Sequence, residues 1–537
     1  MTAPDTTTLD VAIVGAGFAG LYALHKLRKL GYRVHVFEAG GDIGGTWYWN
    51  RYPGARCDIE SMQYSYSWDD QLQQDWEWTE RFATQPEILR YIHHVADRFD
   101  LRRDITLNTR ITSAVFDEGE GRWTLTTETG HRIVARFTIM ATGVLSAPQV
   151  PDLAGLDDFK GAVYHTANWP KDGVDLAGLR VGVFGTGSSA IQAIPEIAKQ
   201  AAHLHVFQRT PNFSIPARNQ PLTPEIIAHW KSNYPDLRRY ARENTGSGTI
   251  YDFATKSAKD VDEATRNAEF ETRWAKGGAN FMHAYNDMVI DEESNRFAAD
   301  FVRRKIRETV KDPAVAEALC PTDYPIFTKR ICIDSDYYAT FNRPNVTLVN
   351  LRKTPFDRVT ATGLRTSAAD IALDALVLAT GFDAMTGALT RIDIRGIGGQ
   401  SLKDKWSEGP RAYLGVMSAG FPNLFMVTGP GSPSVLSNVI VSIEQHVDWI
   451  TDCLQHLRRT GAQRIEPTVD AEDNWVRHVN DVASATLLPK AASWYMGANI
   501  PGKARVFMPY IGLAAFRRKC NAVAANEYEG FSIGQSA

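Results

Sequence analysis

Two glycine-rich turns in this chain have the residue types and spacing needed to hold phosphate groups. The first has the pattern GxGxxG, follows the apolar run Val11–Val14, and precedes leucines at helical spacing. The next apolar run ends in Glu38. Such glycines let backbone N–H groups approach a pyrophosphate at a helix N-terminus, while the acid can bind a ribose. The turn predicts a site for FAD or NAD; a tight strand–helix turn without a ligand is the alternative. The expected contacts are Gly15, Gly17, Phe18, Ala19, Gly20 and Glu38.

The second turn follows another apolar run and has alanine in place of the third glycine. Its expected contacts are Gly185, Thr186, Gly187, Ser188, Ser189 and Ala190. The next apolar run ends in Arg209 and Thr210, where the first unit has an acid. A guanidinium can pair with a 2′-phosphate that an acid would repel, so this turn predicts NADP. The alternative for Arg209 is a surface charge at a strand end.

The segment FKGAVYHTANWP, residues 159–170, stands between the two turns. Its candidate residues are Phe159, Gly161, His165, Trp169 and Pro170. We interpret it as a crossover between domains, in which Gly161 permits an unusual backbone angle and Trp169-Pro170 stiffens the exit. His165 is expected to tie this linker to the body rather than to act as a general base. Two apolar runs ending in Ala141–Gly143 and Ala379–Gly381 are expected to return the chain, one for each turn.

Composition excludes several classes of protein. A chain of 537 residues is too long for one core, so two or three domains are expected. A net charge of −4 offers no basic surface for nucleic acid. The start MTAPDTTTLD lacks the pattern of a signal peptide, and no apolar stretch is long enough for a membrane span. Five scattered cysteines form no CxxC, which argues against a dithiol centre and a structural zinc. We expect a soluble cytoplasmic monomer without a metal.

The two turns and the FxGxxxHxxxWP pattern between them resemble the type I Baeyer–Villiger monooxygenases. Further similar stretches are GGTWYWNRYPGARCDIES (44–61), TKRICIDSDYYATFNRPNV (328–346) and SWYMGANIPGKARVFMPY (493–510). The resemblance covers almost the whole chain. GPGSPSVLSN (429–438) and ATGFDAMTGAL (379–389) are most similar to the phenylacetone and steroid ketone branch.

This resemblance implies a reaction. NADPH reduces FAD, and the reduced flavin captures O2 as a C4a-peroxyflavin. The peroxide attacks a ketone, expected to be aromatic or cyclic, and a carbon migrates to oxygen to give an ester or lactone. The partners implied are therefore a small-molecule ketone and O2.

The resemblance also assigns residues. It implies that Arg330 favours the anionic peroxide and that Asp58 supplies the carboxylate a buried arginine needs. Without it, a Lys-Arg pair is more often a surface feature. The residues it places around FAD are Gly45, Thr46, Trp47, Asp58, Ile59, Tyr64 and Ile111. Those it places around NADP are Arg209, Thr210, Lys329, Arg330 and Trp494. Those it places at the substrate pocket are Val144, Leu145, Ser434, Val435, Leu436 and Tyr495, beside Ile59.

The expected fold class is α/β, with two Rossmann-like dinucleotide-binding domains for FAD and NADP and a helical insertion. In chain order, the expected segments are FAD domain 1–145, NADP domain 146–220, helical subdomain 221–331, NADP domain 332–383 and FAD domain 384–537.

Three other functions share some of these sequence features. An N- or S-oxygenating flavin monooxygenase shares both turns but usually lacks the Trp-Pro ending; a disulfide reductase needs a dithiol; and a nucleotide sensor has no use for an Asp58–Arg330 pair.

Overall fold

The computed structural model describes residues 6–534. Residues 1–5 and 535–537 lie outside the described residues; they are the outer ends of the two expected FAD-domain segments, and the first of them start the N-terminal stretch MTAPDTTTLD. Within 6–534 the strands are β1 (Thr6–Val14), β2 (Val34–Phe37), β3 (Ile105–Thr106), β4 (Ile111–Asp117), β5 (Arg122–Thr127), β6 (Arg132–Met140), β7 (Ala162–His165), β8 (Arg180–Phe184), β9 (His203–Gln208), β10 (Ser214–Pro216), β11 (Cys332–Asp334), β12 (Val346–Asn350), β13 (Phe356–Thr360), β14 (Gly363–Thr366), β15 (Asp370–Ala372), β16 (Ala375–Leu378), β17 (Asp393–Arg395), β18 (Leu424–Met426), β19 (Arg464–Pro467) and β20 (Phe531–Gly534).

The α-helices of the same range are α1 (Phe18–Lys29), α2 (Thr46–Trp49), α3 (Asp70–Asp75), α4 (Gln85–Arg98), α5 (Ser188–Gln200), α6 (Pro224–Asn244), α7 (Glu263–Lys276), α8 (Glu292–Thr309), α9 (Pro313–Leu319), α10 (Tyr337–Thr340), α11 (Gly387–Thr390), α12 (Leu402–Lys405), α13 (Val439–Thr460), α14 (Val469–Ser484) and α15 (Leu513–Ala525). Across residues 6–534, no helix combines the length and the apolar character needed to cross a bilayer.

The larger sheet carries the first glycine turn. Its strand order is β17–β4–β5–β6–β1–β2–β3, and β18 also pairs with β6. β1 pairs in parallel with both β2 and β6, which explains why its sequence is apolar without alternation. Leu21, Leu24 and Leu27 of α1 are fully buried. The turn between β1 and α1 therefore opens at the carboxyl edge of a parallel sheet, where α/β folds bind ligands.

The second glycine turn belongs to a five-stranded parallel sheet of order β12–β9–β8–β16–β7. The segment 159–170 contributes the edge strand β7, so it is a part of this sheet as well as a connection. The reason given for Gly161 was wrong, because its φ is not positive. A Cβ at Gly161 would lie 2.4 Å from the carbonyl oxygen of Asp374 and 2.5 Å from the ring of Phe159, so close packing is what requires glycine here.

Helices α6–α9 form the helical insertion between β10 and β11, which pair with each other in parallel. Thr223 caps α6 by accepting a hydrogen bond from the N–H of Ile226, as its Thr-Pro start predicted. The chain leaves the insertion at residues 328–330, directly before β11. The expected architecture of two Rossmann-like units with a helical insertion is thus present, while the exact domain boundaries stay a prediction.

Candidate active site

The first glycine turn is held by close backbone packing. Gly15 has φ +105°, and a Cβ there would lie 2.5 Å from the carbonyl oxygen of Ala141. A Cβ at Gly20 would lie 1.9 Å from the carbonyl oxygen of Gly15. α1 then starts after Gly17 without a side-chain cap, so its first N–H groups point toward an anion site. This donor set fits the pyrophosphate of a dinucleotide.

The second turn is built in the same way. Gly185 has φ +118°, and a Cβ there would lie 2.4 Å from the carbonyl oxygen of Ala379. Each of the two return strands therefore packs on the first glycine of one turn, as their pairing predicted. A Cβ at Gly187 would meet nothing within 4 Å, and α5 also starts without a side-chain cap. The turn has open space and free donors for a second phosphate group.

Glu38 lies behind the first turn, with each carboxylate oxygen engaged by the backbone. Oε2 accepts from the N–H of Ala16 at 2.7 Å, and Oε1 accepts from the N–H of Gly40 at 2.7 Å. Burial raises the pKa of Glu38 above its ordinary value, against these bonds. Each oxygen keeps a second lone pair for a ribose hydroxyl. The acid therefore also shapes the turn, a role that the sequence did not predict.

Aromatic side chains cover the first turn. The indole Nε1 of Trp47 donates to the hydroxyl of Tyr64 at 3.2 Å, and the rings of Tyr64 and Phe18 meet edge to face at 5.7 Å. Gly45, with φ +54°, brings this layer close to the turn, since its Cβ would lie 2.9 Å from the Cα of Gly17. Thr46 begins the short helix α2 that carries this tryptophan. These predicted residues therefore come together in one place.

The two dinucleotide units meet at Gln192 on α5, a residue that the sequence did not single out. Its Oε1 accepts from the hydroxyl of Tyr52 at 2.8 Å, and its Nε2 donates to the carbonyl oxygen of Arg56 at 3.1 Å. A Cβ at Gly54 would lie 2.5 Å from the carbonyl oxygen of Gln192. This contact fixes the segment that ends in Asp58 against the second unit. A glutamine in an amphipathic helix carries no signal of that role.

Arg330 and Asp58 meet at this junction. Nε of Arg330 donates to Oδ2 of Asp58 at 2.8 Å, and Nη2 donates to Oδ1 at 2.7 Å. Nη1 donates to the carbonyl oxygen of Val435 at 2.5 Å. The side chains keep 27% and 29% of their surface accessible, so the pair is held firmly and is still partly exposed. Residues far apart in sequence thus form the bidentate pair that the resemblance implied.

Electrostatics keep this pair ionised. Burial alone would raise the pKa of Asp58, but the charge and hydrogen bonds of Arg330 outweigh it and hold that pKa below its ordinary value. Burial would lower the pKa of Arg330, and Asp58 reverses this and raises it. Arg330 is therefore a fixed cation at the site at any pH where the fold persists.

Of the predicted pocket residues, Val435 and Tyr495 have direct links to this cation. Val435 and Tyr495 are buried, and burial raises the pKa of Tyr495 to about 12 although Arg330 lowers it. Ser434 has a positive φ of 40°, and its buried Oγ has no hydrogen-bond partner among the described residues. The predicted residues that are only partly buried are Val144, Leu145 and Leu436. The lining is mostly apolar, as a binding site for a weakly polar molecule requires.

Tyr251, in the insertion, was missed by the sequence analysis. Its ring stacks on His283 at 5.2 Å, and its buried hydroxyl has no hydrogen-bond partner among the described residues. Burial is the main cause that raises the pKa of Tyr251, with smaller effects from Glu60, Asp58 and Arg330. The hydroxyl is therefore near the ion pair. A lone tyrosine after a glycine-rich loop gave no signal of this position.

On the far side of the second turn, cations and a threonine gather. Arg209 is exposed directly after β9, and the carbonyl oxygen of Thr210 accepts from Oγ1 of Thr186 at 2.8 Å. The Nζ of Lys329 lies 4.1 Å from the ring centroid of Tyr324. Burial is the main cause that lowers the pKa of Lys329; Asp323 opposes it, and Arg209 adds to it. This positive edge suits a 2′-phosphate.

Other predicted residues lie at the edges of the site. Trp494 is partly buried with its ring 4.4 Å from that of Tyr495. Ile59 is buried beside Cys57, whose Sγ accepts from the N–H of Ile59 at 3.4 Å. Ile111 lies in the core cluster of β1, β2 and β4, and its contact with FAD stays a prediction.

The remaining residues of the second turn start α5. Ser188 lies 3.4 Å from the Sγ of Cys332, and Ala190 is fully buried, as close packing of helix and strand requires. Between them Ser189 is partly buried, whereas Ser188 is exposed. All five cysteines lie within residues 6–534, where each is free and buried and none forms a disulfide.

The candidate linker residues make local contacts. His165 Nδ1 accepts from the N–H of Ala167 at 3.0 Å, and Nε2 lies 3.2 Å from the carbonyl oxygen of Gln149. Trp169 is buried with its ring 5.4 Å from that of Tyr164, and the following Pro170 is exposed. Phe159 packs on Gly161. His165 thus ties the segment to the loop after the first return strand, and burial lowers its pKa.

The sequence is similar to those of known oxidoreductases and monooxygenases. Residues 12–272 match the pyridine nucleotide-disulphide oxidoreductase family. The chain is 43% identical to an acetone monooxygenase (methyl acetate-forming) of Gordonia sp. (strain TY-5), over 98% of this chain and 100% of that protein. It is 44% identical to the phenazine N-monooxygenase PhzNO1 of Lysobacter antibioticus, over 98% of each.

Solved structures agree along the whole chain. An oxidized steroid monooxygenase bound to NADP is 52% identical with a TM-score of 0.94, covering 98% of this chain and 100% of that one. OTEMO in complex with FAD and NADP is 40% identical with a TM-score of 0.95, covering 99% and 100%. The chain belongs to the type I Baeyer–Villiger monooxygenase family. It is an enzyme of the α/β fold class with FAD and NADP as its cofactors, as the sequence predicted.

Proposed function

We propose that this enzyme oxygenates aromatic or cyclic ketones to esters or lactones through a C4a-peroxyflavin. The observation that carries the proposal is the bidentate Arg330–Asp58 ion pair, which joins the segment after the first glycine turn to the exit of the helical insertion. FAD, bound at the first turn, would accept electrons from NADPH and would then activate O2. The chain itself supplies charge, orientation and exclusion of water.

Arg330 is the group that we assign to charge stabilisation. A cation that cannot lose its proton favours an anionic oxygen nucleophile over its protonated form. Asp58 and the carbonyl oxygen of Val435 each hold a different edge of the guanidinium, so little reorganisation is needed during the reaction. A preorganised donor of this kind contributes on the order of 3 kcal/mol to the transition state.

The pocket supports a ketone of low polarity. Val435 and Tyr495 are buried, and the hydroxyls of Tyr251 and Ser434 are buried polar groups without a partner in the described part of the chain. An apolar wall with one or two free donors can orient a carbonyl group while keeping water out. We assign Glu38 to the FAD ribose, and Arg209, Thr210 and Lys329 to the 2′-phosphate of NADP.

Stopped-flow spectroscopy tests the proposal. Enzyme reduced with NADPH is mixed with O2, with and without phenylacetone, cyclohexanone or a steroid ketone, and products are identified by mass spectrometry. The expected result is a long-lived flavin intermediate that the ketone discharges to ester or lactone. Arg330→Ala should lose this ketone-reactive species, and Arg330→Lys, which keeps the charge but not the fork, should retain part of it. Immediate reoxidation to hydrogen peroxide whatever the ketone would refute the proposal.

N- or S-oxygenation is the second candidate. It is favoured by the 44% identity to a phenazine N-monooxygenase. The same experiment with a phenazine and an aryl sulfide separates the two, because the preferred substrate class discharges the intermediate faster.

We further propose that the enzyme acts as a cytoplasmic monomer, since Asp58, Arg330 and Val435 all come from one chain. Sedimentation velocity tests the monomer.

A further inference from the structure

We propose that Arg352 is an additional specificity-determining residue for NADPH, which binds the 2′-phosphate together with Arg209 and Lys329. The inference rests on the assignment of the second glycine turn to NADP. It concerns a residue outside every motif that the sequence analysis used.

Strand pairing places Arg352 at the same edge as Arg209. β9 and β12 are neighbours in parallel register, with Asn350 opposite Gln208. The N–H of Leu351 donates to the carbonyl oxygen of Gln208 at 2.8 Å. Arg209 is therefore the first residue after β9, and Arg352 is the second residue after β12, so both lie just beyond the ends of two paired strands. This is the edge where the ribose of the nucleotide lies in such folds.

Side-chain contacts then direct Arg352 to the predicted phosphate site. Its Nη2 donates to Oγ1 of Thr210 at 3.2 Å, and its guanidinium forms an ion pair with Asp323. Its backbone N–H donates to Oδ1 of Asn350 at 3.0 Å. The guanidinium thus has two partners, both on Nη2, the backbone has a third, and 48% of the side chain remains accessible. A fixed, accessible guanidinium can accept a phosphate with little loss of conformational entropy.

The surrounding charges favour an anion. Lys329 is influenced electrostatically by both Arg209 and Arg352, and by Asp323 with the opposite sign. Three cations and one carboxylate leave an excess of two positive charges. A phosphate monoester carries about −1.5 to −2 at neutral pH, so the excess matches a 2′-phosphate and not the neutral hydroxyl of NADH.

Calorimetry with fragments of the cofactor tests the proposal without turnover. The FAD-loaded enzyme is titrated with 2′,5′-ADP and with 5′-AMP, which lacks the 2′-phosphate. Arg352→Ala should weaken 2′,5′-ADP about tenfold and leave 5′-AMP unchanged, because one exposed charge-assisted contact is lost. This loss should shrink at high salt. Arg352→Lys should lie between, and Lys353→Ala, which removes the neighbouring exposed cation, should behave as wild type.

Unchanged binding of 2′,5′-ADP by Arg352→Ala, or equal weakening of both fragments, would overturn the inference. Arg209→Ala serves as the reference: if it too leaves 2′,5′-ADP unaffected, the second turn is not the 2′-phosphate site and the inference fails with it. A failure of ketone oxygenation would appear in the stopped-flow experiment and leave these titrations valid. The two proposals are therefore tested separately.

Discussion

Asp58 holds Arg330 by both carboxylate oxygens, at 2.8 and 2.7 Å, although the two residues belong to different parts of the fold. Asp58→Asn replaces one acceptor by a donor, so one of these bonds is lost and the guanidinium is no longer fixed. We expect ester formation to fall on the order of 100-fold while hydrogen peroxide rises. Product and peroxide per NADPH consumed measure this. Glu60→Gln, which removes the negative charge of the neighbouring Glu60–Arg81 pair, should leave the ratio unchanged.

The two glycines of the second turn should differ in what they tolerate. Gly185→Ala forces a side chain at φ +118° against the carbonyl oxygen of Ala379, so the unfolding temperature should fall by several degrees, for a strain of about 1–3 kcal/mol. Gly187 has φ −81° and open space, so Gly187→Ala should fold normally. It should nevertheless raise KM for NADPH, since its methyl group occupies the phosphate space. Thermal scans and steady-state kinetics decide; a normal KM would place the phosphate elsewhere.

Tyr251→Phe removes a buried hydroxyl that has no partner in the described structure. We expect no loss of stability, because no hydrogen bond is broken, and a severalfold higher KM for ketones if the hydroxyl orients the carbonyl group. Tyr324→Phe is the matched control, since its hydroxyl donates to Asn212 at 2.9 Å and its loss should cost about 1 kcal/mol. A lower unfolding temperature for Tyr251→Phe would show that the hydroxyl serves the fold.

His165→Ala should weaken coupling between the two units and not flavin binding. The side chain ties the segment 159–170 to the loop after β6 and makes no contact with the first turn. We expect bound FAD to remain stoichiometric by absorbance, while the fraction of NADPH converted to ester decreases. Loss of the flavin during purification would instead indicate a folding role.

Asp334 gives a pH-dependent term in stability. Burial raises its pKa from 3.8 to about 6, against hydrogen bonds from Ser214 and Tyr337. The folded state binds the proton of Asp334 more tightly than the unfolded state does. Protonation of Asp334 therefore stabilises the fold at low pH, and this contribution to the free energy of unfolding is lost as the pH rises toward and beyond 6. The free energy of unfolding of Asp334→Asn, minus that of wild type, should therefore be more positive at pH 7 than at pH 5 by about 1 kcal/mol. Chemical denaturation at both pH values measures this; an equal difference at both would refute the raised pKa.

Much of the fold could be predicted because its signals are local. Glycines at GxGxxG spacing, apolar strands and the Thr-Pro start of α6 each follow from short-range rules. Arg330 and Asp58 could be paired only through the resemblance, because nothing local in a Lys-Arg or Cys-Asp pair indicates a partner in another domain.

Gln192, Tyr251 and Arg352 were beyond sequence reasoning for a different reason. Each acts through a tertiary contact between elements that lie far apart along the chain. The error at Gly161 is of the same kind: glycine can be required by a positive φ or by a crowded neighbour, and only the structure distinguishes the two causes.

Lys329 and Arg330 are consecutive, yet the first lies over the ring of Tyr324 and the second binds Asp58. One peptide unit therefore joins the positive edge of the second turn to the ion pair at the junction. An insertion of even one residue between them would break this spacing, whereas exposed loops away from the site tolerate changes in length. The exposed parts of the helical insertion can therefore vary in length, provided that Lys329 and Arg330 keep their register at its exit.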